Sequence, residues 1–313
     1  MPHYSVLKMF LLIFALHCCI FSNPSYAGIE SLIVPYTATE DVVYGQKAGM
    51  GLTLDVLQPE KNRKGIGIIL VSSGSWVSSK SNLAEDVANF RKDHWGMGLL
   101  YNGYTVFVVR HGSRPRFTVP EMIEDVRRSV RFIRLHAEEY KIDPENIGIT
   151  SGSSGGHLSL MVGLTGDDGN PESKDLVERM SCRTQAIVAW FPPTDLVNWG
   201  IPDGYKILET IRPGMLKEIL SEITDLTTQL EAISPIYQVS ADAPPLFLIH
   251  GDSDKTVPLQ QSEILKEKYE SSNLPVKLIV QPGGGHTYWE GIEKEYVGIG
   301  IWFDTYLNSR KTK

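Results

Sequence analysis

Short apolar runs recur along the chain at Leu52 to Leu57, Ile66 to Val71, Thr105 to Val109, Ile147 to Thr150, Ala186 to Trp190, Leu246 to His250 and Lys277 to Val280. Each is strand-length and rich in β-branched or aromatic residues, and most are separated by segments whose apolar residues fall at helical spacing. The clearest of these runs from Pro120 to about Tyr140, with Ile123, Val126, Val130, Ile133 and Ala137 on one face and Glu124 paired with Arg128 on the other. A second helix is predicted near Gln260 to Glu270. Strands that alternate with helices predict an α/β fold, with a mostly parallel central sheet covered by helices on both faces. Functional groups in such sheets collect at the carboxyl ends of the strands.

One stretch breaks the rhythm. Between Trp190 and Leu246 lies a longer excursion in which Asp203 starts one helix and Pro213-Gly214 separates it from another. Leu216, Ile219, Leu220, Ile223, Leu226 and Leu230 recur at helical spacing in the second, until Ser234-Pro235 stops it. The pattern predicts a small helical cap over about 197–235, or equally an ordinary crossover carrying an extra packed helix.

The N-terminus changes the picture of where the chain works. Lys8 precedes an apolar run from Met9 to Phe21, then Pro24 and the small-x-small ending Ser25-Tyr26-Ala27. This reads as a secretory signal peptide over 1–27, cleaved before Gly28, with an uncleaved anchor as the alternative. The run is shorter than the roughly 20 residues that span a bilayer, so no stable membrane span is expected after cleavage. Residues 28–313 then form a single domain whose only cysteine is Cys182, so it has no internal disulfide and depends on its core. Localisation is expected to be secreted or periplasmic. The full chain carries a net charge of −7, which offers no electrostatic case for nucleic acid.

The candidate chemistry begins at "GITSGSSGGHLSL", residues 148 to 160, where a strand runs through a cluster of small residues directly into a helix. A serine on so sharp a turn needs small neighbours, and this one has them. A strict G-x-S-x-G reading over Gly152 to Gly156 elects Ser154, with Ser153 beside it. A serine hydroxyl is a weak nucleophile without a base, and the base needs a third group to hold its tautomer. Downstream, "PPLFLIHGDSDKTVP" is a strand emptying into an acidic turn, and "LIVQPGGGHTYW" is a strand followed by glycines and a histidine. Ser, then Asp, then His is the order in which α/β-hydrolases present a triad.

These segments resemble the feruloyl and acetylxylan esterase-like (BD-FAE-like) hydrolases of the α/β-hydrolase fold, whose elbow reads "GGSAGGHLSL". Laid on this chain without a gap, that elbow puts the family serine on Ser153, its alanine on Ser154 and its first glycine on Ser151. The family's "HGxxDxxVP" puts the catalytic acid on Asp254 and leaves Asp252 as a turn residue, and its "GxGH" loop falls on Gly283, Gly285 and His286. The resemblance runs from about Val42 to Phe303 and includes "FPPTDL" and "SPIYQVS". It implies a serine hydrolase of carboxylic esters, which the N-terminal segment makes an exported one, with an acyl-enzyme on Ser153, His286 as base and Asp254 orienting it. The implied oxyanion hole uses the backbone N–H of Ser154 and those of Gly74 and Ser75. These last lie in a loop, Ser72-Ser73-Gly74-Ser75-Trp76, that stands where lipases and esterases of this fold often have "HGGGW".

Trp76, His111 and Tyr288 are the candidate substrate-binding residues, and Phe191 and Trp289 extend a possible aromatic wall. His157 is expected to brace neighbouring loops and His250 to pack below the acid turn. No HExxH or paired Cys/His spacing supports a metal, and no cofactor is expected. The expected partner is a small-molecule ester or the acyl groups of a plant polysaccharide. A prolyl-oligopeptidase-like peptidase shares the triad order, and a non-catalytic binding protein on the same fold is the third reading.

Overall fold

A computed structural model describes residues 34–79, 95–206, 209, 213–220, 225–286, 289 and 294–307. The signal peptide expected over 1–27, part of the excursion at 197–235, and Tyr288 lie outside the described residues. The described residues belong to the compact unit Val34–Lys313.

Eight strands form one sheet in the order β1-β2-β4-β3-β5-β6-β7-β8. They are β1 (Tyr36–Lys47), β2 (Met50–Pro59), β3 (Gly67–Val71), β4 (Thr105–Val109), β5 (Ile147–Gly152), β6 (Ala186–Trp190), β7 (Leu246–Gly251) and β8 (Val276–Gln281). The first two pairings, β1 with β2 and β2 with β4, are antiparallel; every later pairing is parallel. The central strands β3, β4, β5, β6 and β7 are buried along their whole length. Helices cover such strands on both faces, which is why they read as continuous apolar runs and not as alternation.

Strand β1 carries no such run. It is an edge strand, mostly exposed, and register shifts between Thr39 and Val42 and between Val43 and Gly45 break its period of two. The helix predicted from Pro120 to Tyr140 is two helices, α2 (Val119–Leu135) and α3 (Ala137–Tyr140), interrupted at His136. Its predicted face is buried as expected, and Glu121 reaches back to the backbone N–H of Thr118 at 2.8 Å to open it. The polar pairing differs. Glu124 meets Arg127 at 2.6 Å, while Arg128 turns to Asp175 and Glu178 at 2.8 and 2.5 Å, because those carboxylates lie within its reach.

The remaining helices are α1 (Trp95–Tyr101), α4 (Ser153–Leu164), α5 (Met215–Ile219), α6 (Leu226–Ala232), α7 (Gln260–Ser271) and α8 (Lys294–Leu307). Helix α4 leaves β5 at the middle of the sheet and is buried at almost every position. Gly155 lets it do so: a Cβ there would meet Ser151 Oγ at 2.3 Å and Val71 O at 2.8 Å. In the excursion, the apolar pattern Leu216 to Leu230 is divided between α5 and α6, and the Asp225 side chain caps the latter by accepting the Thr228 N–H.

Candidate active site

Ser153 sits where β5 becomes α4, with φ of 51°, a left-handed conformation that a non-glycine residue holds only when its surroundings impose it. The turn lifts its side chain off the sheet. Its hydroxyl lies 2.8 Å from His286 Nε2, and His286 Nδ1 lies 2.7 Å from Asp254 Oδ2. Since the carboxylate only accepts, Nδ1 carries the proton and Nε2 presents a lone pair to the serine. Three residues spread over 133 positions of sequence thus form one hydrogen-bonded chain.

The acid is held from several sides. Asp254 Oδ1 accepts the backbone N–H of Thr256 and Val257 at 2.8 and 2.9 Å, and Oδ2 also lies 3.4 Å from His250 Nε2. Burial by itself would push this carboxyl up; the bonds from His250, His286 and Val257 outweigh it and hold the group well below the usual carboxylate range. His250 is fully buried beneath the turn, bonded to Ser262 Oγ at 2.7 Å and Val257 O at 3.0 Å. Asp252 has the turn role, accepting Gly283 N–H at 2.7 Å and so joining the acid turn to the histidine loop. Phe191 follows β6 and lies with its ring 4.7 Å from that of His286. Nothing local in the sequence marks Phe191 for this contact, which arises because the parallel strands β6 and β8, on either side of β7, end at the same edge of the sheet.

The serine-rich loop after β3 closes the other side. Ser73 Oγ donates to Gly152 O at 2.8 Å, and Ser154 Oγ accepts the backbone N–H of Gly74 at 3.2 Å. Of the three amides expected in the oxyanion hole, Gly74's is therefore turned onto a side chain, a consequence of serine standing at 154. The backbone N–H groups of Ser75 and Ser154 have no acceptor among the described residues, and both residues line the cleft that holds Ser153. Ser154 is 2 % exposed and its hydroxyl points away from His286, into this loop.

That cleft has a volume of about 190 Å³ and is walled by Trp76, Pro193, Trp199, Met215, Lys255 and Val257. Trp76 lines this cleft, its indole N–H donating to His157 Nδ1 at 3.2 Å. His157 is fully buried and donates from Nε2 to Ile233 O at 2.7 Å; burial pushes its pKa down to about 4, so it is a neutral strut. His111 is a correction. Its ring lies against Gly112 O and Ser72 O, behind the loop, and it lines a separate cavity, because the strand end of β4 turns it away from Ser153. Trp289 is a core residue, 8 % exposed and packed on Trp190 and Phe191. Trp199 and Met215 have no counterpart among the sequence candidates. They come from the excursion after β6, and only the folding of that segment carries them to the cleft.

The BD-FAE family model matches residues 54–269. By sequence the chain is 29% identical over 264 residues to a probable carboxylic ester hydrolase, LipM, of Mycobacterium tuberculosis, covering 81% of this chain and 57% of that protein. It is 28% identical over 229 residues to esterase LipQ of the same organism, covering 72% and 51%. The chain spans about half the length of the curated relatives it matches. Among solved structures, a truncated carbohydrate esterase from gut microbiota superposes with a TM-score of 0.71 at 28% identity, covering 87% of this chain and 97% of that one. An acetyl ester-xyloside bifunctional hydrolase from Caldicellulosiruptor lactoaceticus shares the fold with a TM-score of 0.67 at 23% identity, covering 90% and 97%.

Proposed function

The chain belongs to the BD-FAE family, and from that premise we propose that it is a serine hydrolase of carboxylic esters. The observation that carries the reading is the chain of contacts from Ser153 through His286 to Asp254, at 2.8 and 2.7 Å. Ser153 Oγ attacks the ester carbonyl carbon as its proton passes to His286 Nε2, and Asp254 steadies the imidazolium that forms. Negative charge gathers on the former carbonyl oxygen, opposite the amides of Ser75 and Ser154. As the C–O bond breaks, His286 returns the proton to the leaving alcohol, and an acyl group remains on Ser153. Water, deprotonated by the same nitrogen, then releases the acid.

The cleft and the relatives together support a reading of the substrate class. A space of about 190 Å³ in which Trp76, Pro193, Trp199, Met215 and Val257 form an apolar wall beside Lys255 and Thr256 suits a small acyl group, and the relatives include a carbohydrate esterase at 28% identity. We propose short acyl esters, carried on a sugar, as the substrate. The apolar run Met9 to Phe21 and the Ser25-Tyr26-Ala27 ending support export. Mass spectrometry of the exported protein tests this by its N-terminus, with Gly28 expected.

A panel of p-nitrophenyl esters of increasing acyl length, acetylated xylan, feruloyl esters and dipeptide amides tests the activity. Turnover of the short esters that disappears in Ser153→Ala is the expected result. Ester hydrolysis that survives Ser153→Ala, or cleavage confined to the amides, would overturn the proposal.

A further inference from the structure

Two of the positions at which this chain carries a hydroxyl that the resembling motifs lack, Ser73 and Ser154, meet in space. Their Oγ atoms lie 3.4 Å apart, one on the loop after β3 and the other in the first turn of α4. Ser73 has a single hydrogen, and it is committed to Gly152 O at 2.8 Å, while its oxygen accepts the backbone N–H of Gly155 at 3.3 Å. The proton in the contact between the two serines therefore belongs to Ser154. At 3.4 Å that contact is long, against about 2.7–2.8 Å for an ordinary hydroxyl bond. The oxygen of Ser154, by contrast, is engaged, because it accepts the N–H of Gly74.

The result is a hydroxyl whose lone pair is held and whose proton is loosely placed. It sits on the residue next to Ser153, in the wall of the same cleft, whereas Gly74 is not part of that wall. Given the serine-hydrolase reading of Ser153, on which this rests, we propose that the Ser154 hydroxyl is a donor of the oxyanion hole that stands in for the Gly74 amide. When charge develops on the carbonyl oxygen, the O–H rotates from Ser73 to that oxygen, and the Gly74 N–H polarises it from behind. The oxyanion then receives the backbone N–H of Ser75, the backbone N–H of Ser154 and the hydroxyl of Ser154. Ser73 is a positioning residue in this arrangement, since its bonds to Gly152 and Gly155 lock the loop to the elbow.

Steady-state kinetics of the full chain with p-nitrophenyl acetate tests the proposal, using Ser154→Ala, Ser154→Thr and Ser153→Ala beside the native protein. Removing one oxyanion donor lowers kcat on the order of 10²-fold, and because the bond forms only as charge develops, KM stays within about twofold. Ser154→Thr keeps the hydroxyl and retains most of the native kcat. Inhibition by a boronic acid, which forms a tetrahedral anion on the serine, weakens in Ser154→Ala by a factor similar to the fall in kcat. Circular dichroism and thermal unfolding establish that each variant is folded. Near-native kcat in Ser154→Ala, a change confined to KM, or a Ser154→Thr variant as slow as Ser154→Ala would overturn the assignment. Turnover surviving in Ser153→Ala would instead overturn the serine-hydrolase reading beneath it.

Discussion

Asp254 shows how much of the site rests on single atoms. Its Oδ2 faces two imidazoles, His286 at 2.7 Å and His250 at 3.4 Å, while two backbone N–H groups fill Oδ1. Replacement by asparagine keeps the size but puts an amide where a negative charge fixes the tautomer of His286. Asp254→Asn is expected to fold and to lose roughly 10⁴ in kcat, as measured on p-nitrophenyl acetate. The bonds that depress the carboxyl also decide the acid limb. Asp254 contributes stability that is present above its unfolded value and is lost only as pH falls through its depressed folded value. The depressed value keeps Asp254 ionised through the mildly acidic range, so a fall of kcat/KM there does not come from the carboxylate. A profile of kcat/KM that stays flat down to about pH 4 would contradict a histidine base. Cys182 is the opposite case. It is fully buried, burial pushes its thiol up, and Asp167 occupies its surroundings. Hydrolysis is expected to stop with an organophosphorus reagent and to survive iodoacetamide and EDTA.

At the scale of elements, the site is an agreement between strand ends. β5 supplies the elbow, β7 the acid turn and β8 the histidine loop, and the last two touch through backbone. Gly251 ends β7 so close to the loop that a Cβ would stand 2.2 Å from Gly284 O. Gly251→Ala forces the two turns apart and is expected to cost about 1–3 kcal/mol of unfolding free energy, together with a fall in kcat that exceeds any change in KM. Denaturant titration and steady-state rates check the pair of effects. Elements legible in the sequence were those whose local pattern equals their environment. β3 to β7 are apolar because both faces are covered, and α2 is amphipathic because one face is. β1 was illegible because an exposed, bulged edge has neither signal, and the break at His136 was illegible because apolar spacing continues across it into Ala137 and Tyr140.

Across the whole molecule, His157 ties the loop after β3 to the end of the excursion, through Trp76 on one nitrogen and Ile233 O on the other. Burial keeps it neutral, with a pKa of about 4 against the ordinary 6.5. The unfolded chain therefore binds this proton first, so stability is lost as pH falls from about 6.5 to about 4 and not further below. The loss from His157 is on the order of 3 kcal/mol, and buried His111, also shifted down, adds in the same direction. Thermal unfolding followed against pH is expected to show a midpoint that declines over this window, with a shallower decline in His157→Asn. A midpoint independent of pH between these values would show that His157 is not held neutral by burial.

The sequence alone determined the class of fold and the three short motifs that carry the candidate triad. Strand and helix patterns are local consequences of burial, and the serine, acid and histidine each sit in a short motif at a strand end. Choosing Ser153 over Ser154 took more than spacing. The resemblance indicated it, and the fold supplies the physical reason: a left-handed Ser153 aims its hydroxyl at His286, while the helical turn after it aims that of Ser154 at Gly74. Only tertiary structure decided that His111 faces away, that Phe191 lies on His286, that Trp199 and Met215 wall the cleft, and that two isolated hydroxyls, Ser73 and Ser154, became neighbours. Those contacts join residues that share no motif, and their distances are set by how the strands pack side by side.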